Sequence, residues 1–363
     1  MRSGTPEISV IVPIFNLGAY GVAAVRSLLA QDFKDFEALL VDDGSKDGSG
    51  TAAFAAAGGD PRFRLLRQDN LGLPAARNRA LAAARGRFLA FLDGDDRYSP
   101  VFLGRMRRAL LEDGGDWVAC AFADCPPDGR QIPQSALYDR PMPAAAARWP
   151  LESVGEILAH YPSVWNKLYR RELLAGISFE PGWFEDHVFY LRAALRSRAI
   201  LHLPEPLYLQ TRGRPGQLTT RDDERVFDQF PVLERLRHLL VTSGRKGAAE
   251  GFEDLAGRLL AERAQVLRDP GRRTRWLGSM RHWLSRQGFD FPARHSPSLA
   301  TALSGGMPVG VVADLSGRGD LSRAALEGLA GQDIAAFSLI ALTRSAGGMP
   351  RCLPRTAPGL RGI

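Results

Sequence analysis

From Ile8 to Asp96 the chain repeats one pattern: a short apolar run that breaks off into polar residues, then a stretch with helical spacing. The runs are ISVIVPIF (8–15), FEALLVDD (36–43), FRLLRQ (63–68) and FLAFLDGDD (88–96). Tyr20, Ala24, Ser27, Leu28 and Gln31 fall on one helical face, and residues 51–57 and 73–85 also read as helices. Strands that are apolar on both faces and separated by helices predict right-handed β-α-β units and a mostly parallel sheet covered on both sides. Such sheets bind ligands beyond the carboxyl ends of their strands. Asn16, Asp42, Asp43, Asp69, Asn70, Asp93 and Asp95 all fall at those ends.

The last run delivers Asp93, Asp95 and Asp96 to one point, and like charges held together call for a positive partner. If the segment is extended, Asp93 and Asp95 point to the same side, and Gly94 between them admits close approach to the backbone. Two carboxylates suit one hard cation, Mg²⁺ or Mn²⁺, which keeps positions for water and phosphate oxygens. The same residues also read as an acidic turn that caps the next helix, with Asp96 or Ser99 as the cap and Pro100 behind it.

Beyond Asp113 the pattern loosens into loop-rich sequence. It then gives a helix over SVGEILAHY, a strand or turn over SVWNKLYRR, and a helix whose first turn carries Glu185 and Asp186, where carboxylates complement the macrodipole. Helices are expected from about Asp222 to Gln287, broken at Pro270–Gly271. Within 272–289, Trp276, Met280, Trp283 and Leu284 share one face ringed by arginine, a pattern that fits either an interfacial helix on a membrane or a helix packed on its own domain.

Composition narrows the partners. Of the 47 basic residues all but four are arginine, and the net charge is +7. That skew fits codon bias better than nucleic-acid binding, so no nucleic acid is expected as a partner. Cys120, Cys125 and Cys352 form neither a disulfide framework nor a metal spacing, which fits a reducing compartment. With no leader-like start and no run long enough to span a bilayer, the expectation is a cytoplasmic protein, with the inner face of the membrane as its possible station.

The start of the chain recurs near its end. Shifted by 301 positions, residues 8–45 lie over 309–346 with eight of 38 identical: Val311, Gly319, Ala324, Ala325, Leu329, Gln332, Asp333 and Phe337 in the second copy. Asp42 and Asp43 become Thr343 and Arg344, and no counterpart of LDGDD follows.

Four ordered stretches, SVIVPIFN, VDDGSKDGS, NLGLPAARNRAL and FLDGDDRYSP, resemble the motifs of family-2 glycosyltransferases of the GT-A fold over residues 7–222. The resemblance implies inverting, metal-dependent transfer of a hexose-type sugar from a nucleotide-diphosphate donor, expected to be uridine-linked, to a hydroxyl on a glycan or lipid-linked acceptor, as in cell-surface polysaccharide synthesis. By resemblance Pro13 and Asn16 border the base, Asp42 contacts the uracil, Asp43 counts among the nucleotide-binding residues, and Arg77 and Asn78 line the same pocket. Asp93 holds the ribose and Asp95 the metal. The stretch WFEDHVF resembles the motif that bears the catalytic base, with Asp186 first and Glu185 as alternate. Trp165, Asn166 and Lys167 would floor the acceptor site, while Arg212 and Arg214 would neutralise the departing diphosphate. Pro215 and Gln217 depart from the family's ending there. The expected organisation is a GT-A domain at 5–222, a helical extension at 223–300 and a partial, degenerate repeat of the first strand-helix-strand at 306–363. Two alternatives remain: a non-catalytic scaffold, or a sugar-nucleotide pyrophosphorylase, although PIFNLGAY lacks the Gly-rich, basic phosphate loop that the latter needs.

Overall fold

A computed structural model of the chain describes residues 4–138, 141–217 and 222–303, together with the backbone of three strands nearer the end, 309–314, 337–343 and 351–356. The chain divides into two compact units, one of Met1–Gln217 with Pro231–Gly251 and one of Leu218–Phe230 with Phe252–Ile363. Residues 231–251, expected in the helical extension, thus group with the first unit.

The first unit begins β1 (Ile8–Ile14), α1 (Ala19–Leu29), β2 (Phe36–Asp43), α2 (Ser49–Ala56), β3 (Phe63–Gln68), α3 (Leu73–Ala83) and β4 (Phe88–Phe91). Every residue of β1 and β2 is buried, as near-continuous apolar runs require. Each such large side chain taken from water contributes about 1.5–3 kcal/mol. These strands pair in parallel in the order β3-β2-β1-β4, with Ile8 opposite Phe36 on one side and Phe88 on the other. Two polar residues sit inside these strands. Ser9 Oγ donates to Glu37 Oε1 at 2.8 Å, and Glu37 also receives the Arg85 N–H and guanidinium. These buried groups are satisfied by one another, far from the carboxyl ends.

The unit continues with β5 (Arg97–Tyr98), α4 (Phe102–Asp113), β6 (Trp117–Cys125), β7 (Ile132–Gln134), β8 (Ala147–Pro150), α5 (Val154–Leu158), β9 (Lys167–Arg170), α6 (Glu185–Arg196) and β10 (Ala199–Thr211). Here the sheet turns mixed: β9 lies antiparallel between β4 and β6, and β10 runs parallel to β6. Among the described residues this makes a sheet of ten strands flanked by helices. Two details differ from the sequence reading. Asp93 to Asp96 is a turn closed by the Asp96 N–H on the Asp93 carbonyl at 2.9 Å, and α4 starts after Val101 with no side-chain cap.

The helices that follow are α7 (Gln229–Thr242), α8 (Ala248–Val266), α9 (Pro270–Gln287) and α10 (Pro297–Leu303). The expected break falls at 267–269, and Pro270 starts α9, because the Asp269 side chain accepts from the Arg272 N–H and proline is at home in the first turn. The membrane reading of 272–289 is corrected here. Trp276, Met280, Trp283 and Leu284 are buried, and the two tryptophans pack against Phe230, Phe252 and Phe289 of the same unit. An apolar face already covered by its own core has nothing to insert into lipid. Among the described residues no helix is long and apolar enough to cross a membrane.

In the same unit β11 (Val309–Asp314) pairs in parallel with β12 (Phe337–Thr343), and β13 (Arg351–Thr356) runs antiparallel to β12. Val309 faces Phe337 as Ile8 faces Phe36, so both parallel pairs share one register at the 301-residue shift. The helix expected between β11 and β12 lies outside the described residues.

Candidate active site

The carboxyl ends of β1, β2 and β4 are tied together by short polar loops. Asn16, in the left-handed region at φ 51°, accepts the Lys46 N–H on its side-chain oxygen at 2.9 Å and donates its own N–H to Ser45 Oγ at 3.1 Å. Asparagine tolerates that conformation where most residues would be strained. Asp42 accepts the Ser45 N–H at 3.0 Å and lies tight against Gly50, where any side chain would collide with its carboxylate. Asp43 is 3% exposed and accepts from Gln68 Nε2 and from the Leu71 and Gly72 N–H groups at 2.8–2.9 Å. Its oxygens are therefore committed to shaping the loop after β3. The Pro13 carbonyl abuts Gly94, and a larger residue at 94 could not sit so close to β1. Asp42 is level with Ile14 of β1, and Asp93 follows β4 on the other side of that strand. The two acids thus lie across β1, about 10 Å apart at ordinary strand spacing.

The turn after β4 meets the first turn of α6 through one arginine. Arg77, on α3 and 1% exposed, donates to Asp93 Oδ1 at 2.7 Å, Glu185 Oε1 at 2.8 Å and Asp186 Oδ1 at 2.5 Å. It is the shared counter-ion of three carboxylates rather than a free pocket residue. Phe179 packs its ring 5.0 Å from the guanidinium, and Asn78 fixes Phe179 by bonding its N–H and its carbonyl at 2.8 Å each. Asn78 is thus turned to Phe179, a support for Arg77. Phe184, just before the acids, also has positive φ (66°), and this left-handed residue starts α6 so that both acids fall in its first turn.

Asp95 is held by Arg214 Nε at 2.9 Å, and Arg212 pairs instead with Asp124 at 2.6 Å. Asp96, 3% exposed, accepts the Tyr208 hydroxyl at 2.6 Å and the Thr211 N–H at 2.7 Å, which pins the acidic turn to β10. Trp165 stacks on Tyr208 with centroids 4.2 Å apart. The pairing of Tyr208 and Thr211 with Asp96 gave no sign in the sequence, because partners more than a hundred residues apart leave no local pattern. Asn166 and Lys167 are also buried. Asn166 bonds the Cys120 carbonyl at 2.8 Å, and Lys167 Nζ donates to the Tyr161 and Ser163 carbonyls and to Asn166 Oδ1. Both spend their polar groups on protein partners.

Of five neighbouring carboxylates, Asp93, Glu185 and Asp186 pair with Arg77 and Asp95 with Arg214, while Asp96 is answered by Tyr208 and Thr211. The excess shows in their acidities. Burial, then the charge of Asp93, raises Asp95; burial and its two acidic neighbours push Asp96 well up. Burial and the charge of Asp186 bring Glu185 to about 7. Burial also raises Asp186, against the pull of Arg77. Asp93 meets Arg77 through Oδ1 and Asp95 meets Arg214 through Oδ2. Among the described residues no three such side chains gather as a metal cage. Two hard oxygen donors in a negative, half-buried setting fit a divalent cation that takes its other ligands from water and phosphate.

A sheet of this order, with acids converging at its carboxyl edge, defines an open α/β class whose ligands bind beyond the strand ends. The family model of Glycosyl transferase family 2 matches residues 9–184. The chain is 34% identical over 219 residues to the uncharacterized glycosyltransferase EpsJ of Bacillus subtilis, covering 59% of this chain and 63% of that one. It is 30% identical over 229 residues to the glycosyltransferase GlyG of Streptococcus pneumoniae, covering 60% and 74% respectively. The chain spans about three fifths of the length of several curated relatives it matches. In structure it is similar to Staphylococcus aureus TarS 1–349 in complex with UDP-GlcNAc, at TM-score 0.61 and 22% identity over 82% of this chain and 86% of that one, a likeness of fold. The chain belongs to glycosyltransferase family 2, with its GT-A fold.

Proposed function

We propose that the protein is an inverting glycosyltransferase that moves a sugar from a uridine-diphosphate donor to a hydroxyl of a glycan or lipid-linked acceptor. The observation that carries this reading is the meeting of the donor-side acids Asp93 and Asp95 with Glu185 and Asp186 around Arg77. A neighbour of the same fold was solved with UDP-GlcNAc, which favours a UDP-sugar donor.

Asp42, beside Pro13 and Asn16, faces the base, and Asp93 takes the ribose. Asp93 and Asp95 would hold Mg²⁺ or Mn²⁺, which when bound neutralises the diphosphate and eases its departure. Arg214, beside Asp95, brings a second positive charge to the leaving group. Asp186 takes the proton of the acceptor hydroxyl. It suits that task better than Glu185, being the more exposed (20% against 11%), while Glu185, raised to about 7, retains its proton over much of the neutral range. Arg77 pulls the pKa of Asp186 down against its burial and so favours the charged form that accepts a proton. The place of action we assign is the cytoplasm, at a polysaccharide-building step.

The test is a screen of UDP-sugars for release of UDP, with and without Mn²⁺ or a chelator, beside Asp95→Ala and Asp186→Asn. Release should require the cation and fall by about a hundred- to ten-thousandfold in Asp186→Asn, the range expected for loss of a general base. Turnover by both variants at the parent rate would refute the assignment.

A further inference from the structure

Lys167, expected in the floor of the acceptor site, is a buried cation to which the proposed transfer gives no step. It is 1% exposed, and its ammonium gives one hydrogen bond to each of the Tyr161 carbonyl (2.9 Å), the Ser163 carbonyl (2.5 Å) and Asn166 Oδ1 (2.8 Å). All three acceptors belong to the segment that precedes β9. Ser163 Oγ closes the same ring by donating to Asn166 Oδ1 at 2.8 Å. A buried ammonium is costly unless each of its N–H groups is used, and here each is. The segment it gathers contains Val164, whose backbone N–H faces the Asp186 carboxyl and stabilises its charged form.

We propose that Lys167 is a positioning residue for the base. By gathering residues 161–166 it aims the Val164 N–H at Asp186, and its own charge faces that carboxylate from below. The groups that face Lys167 are Cys120 on β6, Asp186 and the Tyr190 ring on α6, and His202 on β10. Burial pushes the Cys120 thiol up to about 12 and holds His202 well below its usual range, so both stay neutral near pH 7. Asp186 is the acid in this set. Burial pulls Lys167 down to about 7, and its three acceptors draw the other way, since only the ammonium has three N–H groups to give.

The inference rests on Asp186 being the base, so Asp186→Asn is measured first. If that variant turns over UDP-sugar like the parent, the base assignment fails and Lys167 is not at issue. With Asp186 upheld, Lys167→Met should lower kcat by about ten- to a hundredfold, the scale of a small misplacement of a reacting group. The affinity for UDP alone, measured by calorimetry, should stay at the parent value. The acid limb of the kcat profile should move to higher pH, because Asp186 loses a facing positive charge and a well-aimed donor. An unmoved acid limb, or a loss of UDP affinity in step with kcat, overturns the proposal. If Lys167→Met does not fold, Val164→Pro deletes the N–H and leaves Lys167 in place. There the acid limb must shift in the same direction, and a parent-like profile overturns the proposal.

Discussion

Two parallel strand pairs of this chain share a register and differ in what stands at their ends. In β1 and β2 each residue faces the one 28 positions on, and so it is in β11 and β12. At the carboxyl end of β2 stand Asp42 and Asp43; at the matching positions stand Thr343 and Arg344. Strand pairing is backbone chemistry plus an apolar pattern, and both survive substitution at the tips. The chemistry of the edge depends on a few side chains that the pairing does not need. We regard 306–363 as a degenerate repeat that keeps the pairing and has lost the acids.

The sharpest way to break this comparison is to give the first copy the second's residues. Asp43→Arg replaces the acceptor of two loop N–H groups and an amide with a buried cation, and should cost about 3–5 kcal/mol in a denaturant melt. A melt within error of the parent would show that the loop does not need this acid. Asp42→Thr keeps a small polar group with one acceptor oxygen for the Ser45 N–H. UDP affinity should then fall about ten- to a hundredfold, the worth of a charge-assisted bond, with stability little changed. Calorimetry with UDP decides it.

Glu185→Gln sharpens the account of the acid excess. Glu185 has its folded value raised from about 4.5 to about 7, so the stability linked to its proton is present below about 4.5 and lost as pH rises through 7. The variant should therefore melt higher relative to the parent at pH 8 than at pH 5; a difference independent of pH would count against a strained carboxylate. The smallest effect is expected from removing residues 304–363. All the site residues lie in the first unit, so UDP affinity should not change. A loss would give the second copy a part in binding.

What could be read in advance follows from the range of each interaction. The four parallel strands, the helices between them and the acids at their tips were legible, because burial on both faces writes apolar runs into the sequence. The first turn of α6 was legible through Glu185 and Asp186, since that signal is local. The turn at Asp93–Asp96 was not, because it is closed by backbone bonding and by the distant Tyr208 and Thr211. The face of α9 left a membrane-seeking reading open beside the core one, for the hydrophobic effect has no direction and a helix records only that one face is buried. Packing against Phe230, Phe252 and Phe289 chose the core.

By itself, then, the sequence determined the class of sheet, the family and the edge at which acids gather, because periodicity and motif spacing are properties of neighbours along the chain. Only the tertiary structure decided who answers whom. Arg77 serves three carboxylates from two distant segments, Asn78 supports Phe179, and Lys167 braces the floor beneath Asp186. Such pairings are fixed by which charges burial forces together, and a buried charge takes the partner that the fold brings within reach, however far off it lies in the chain.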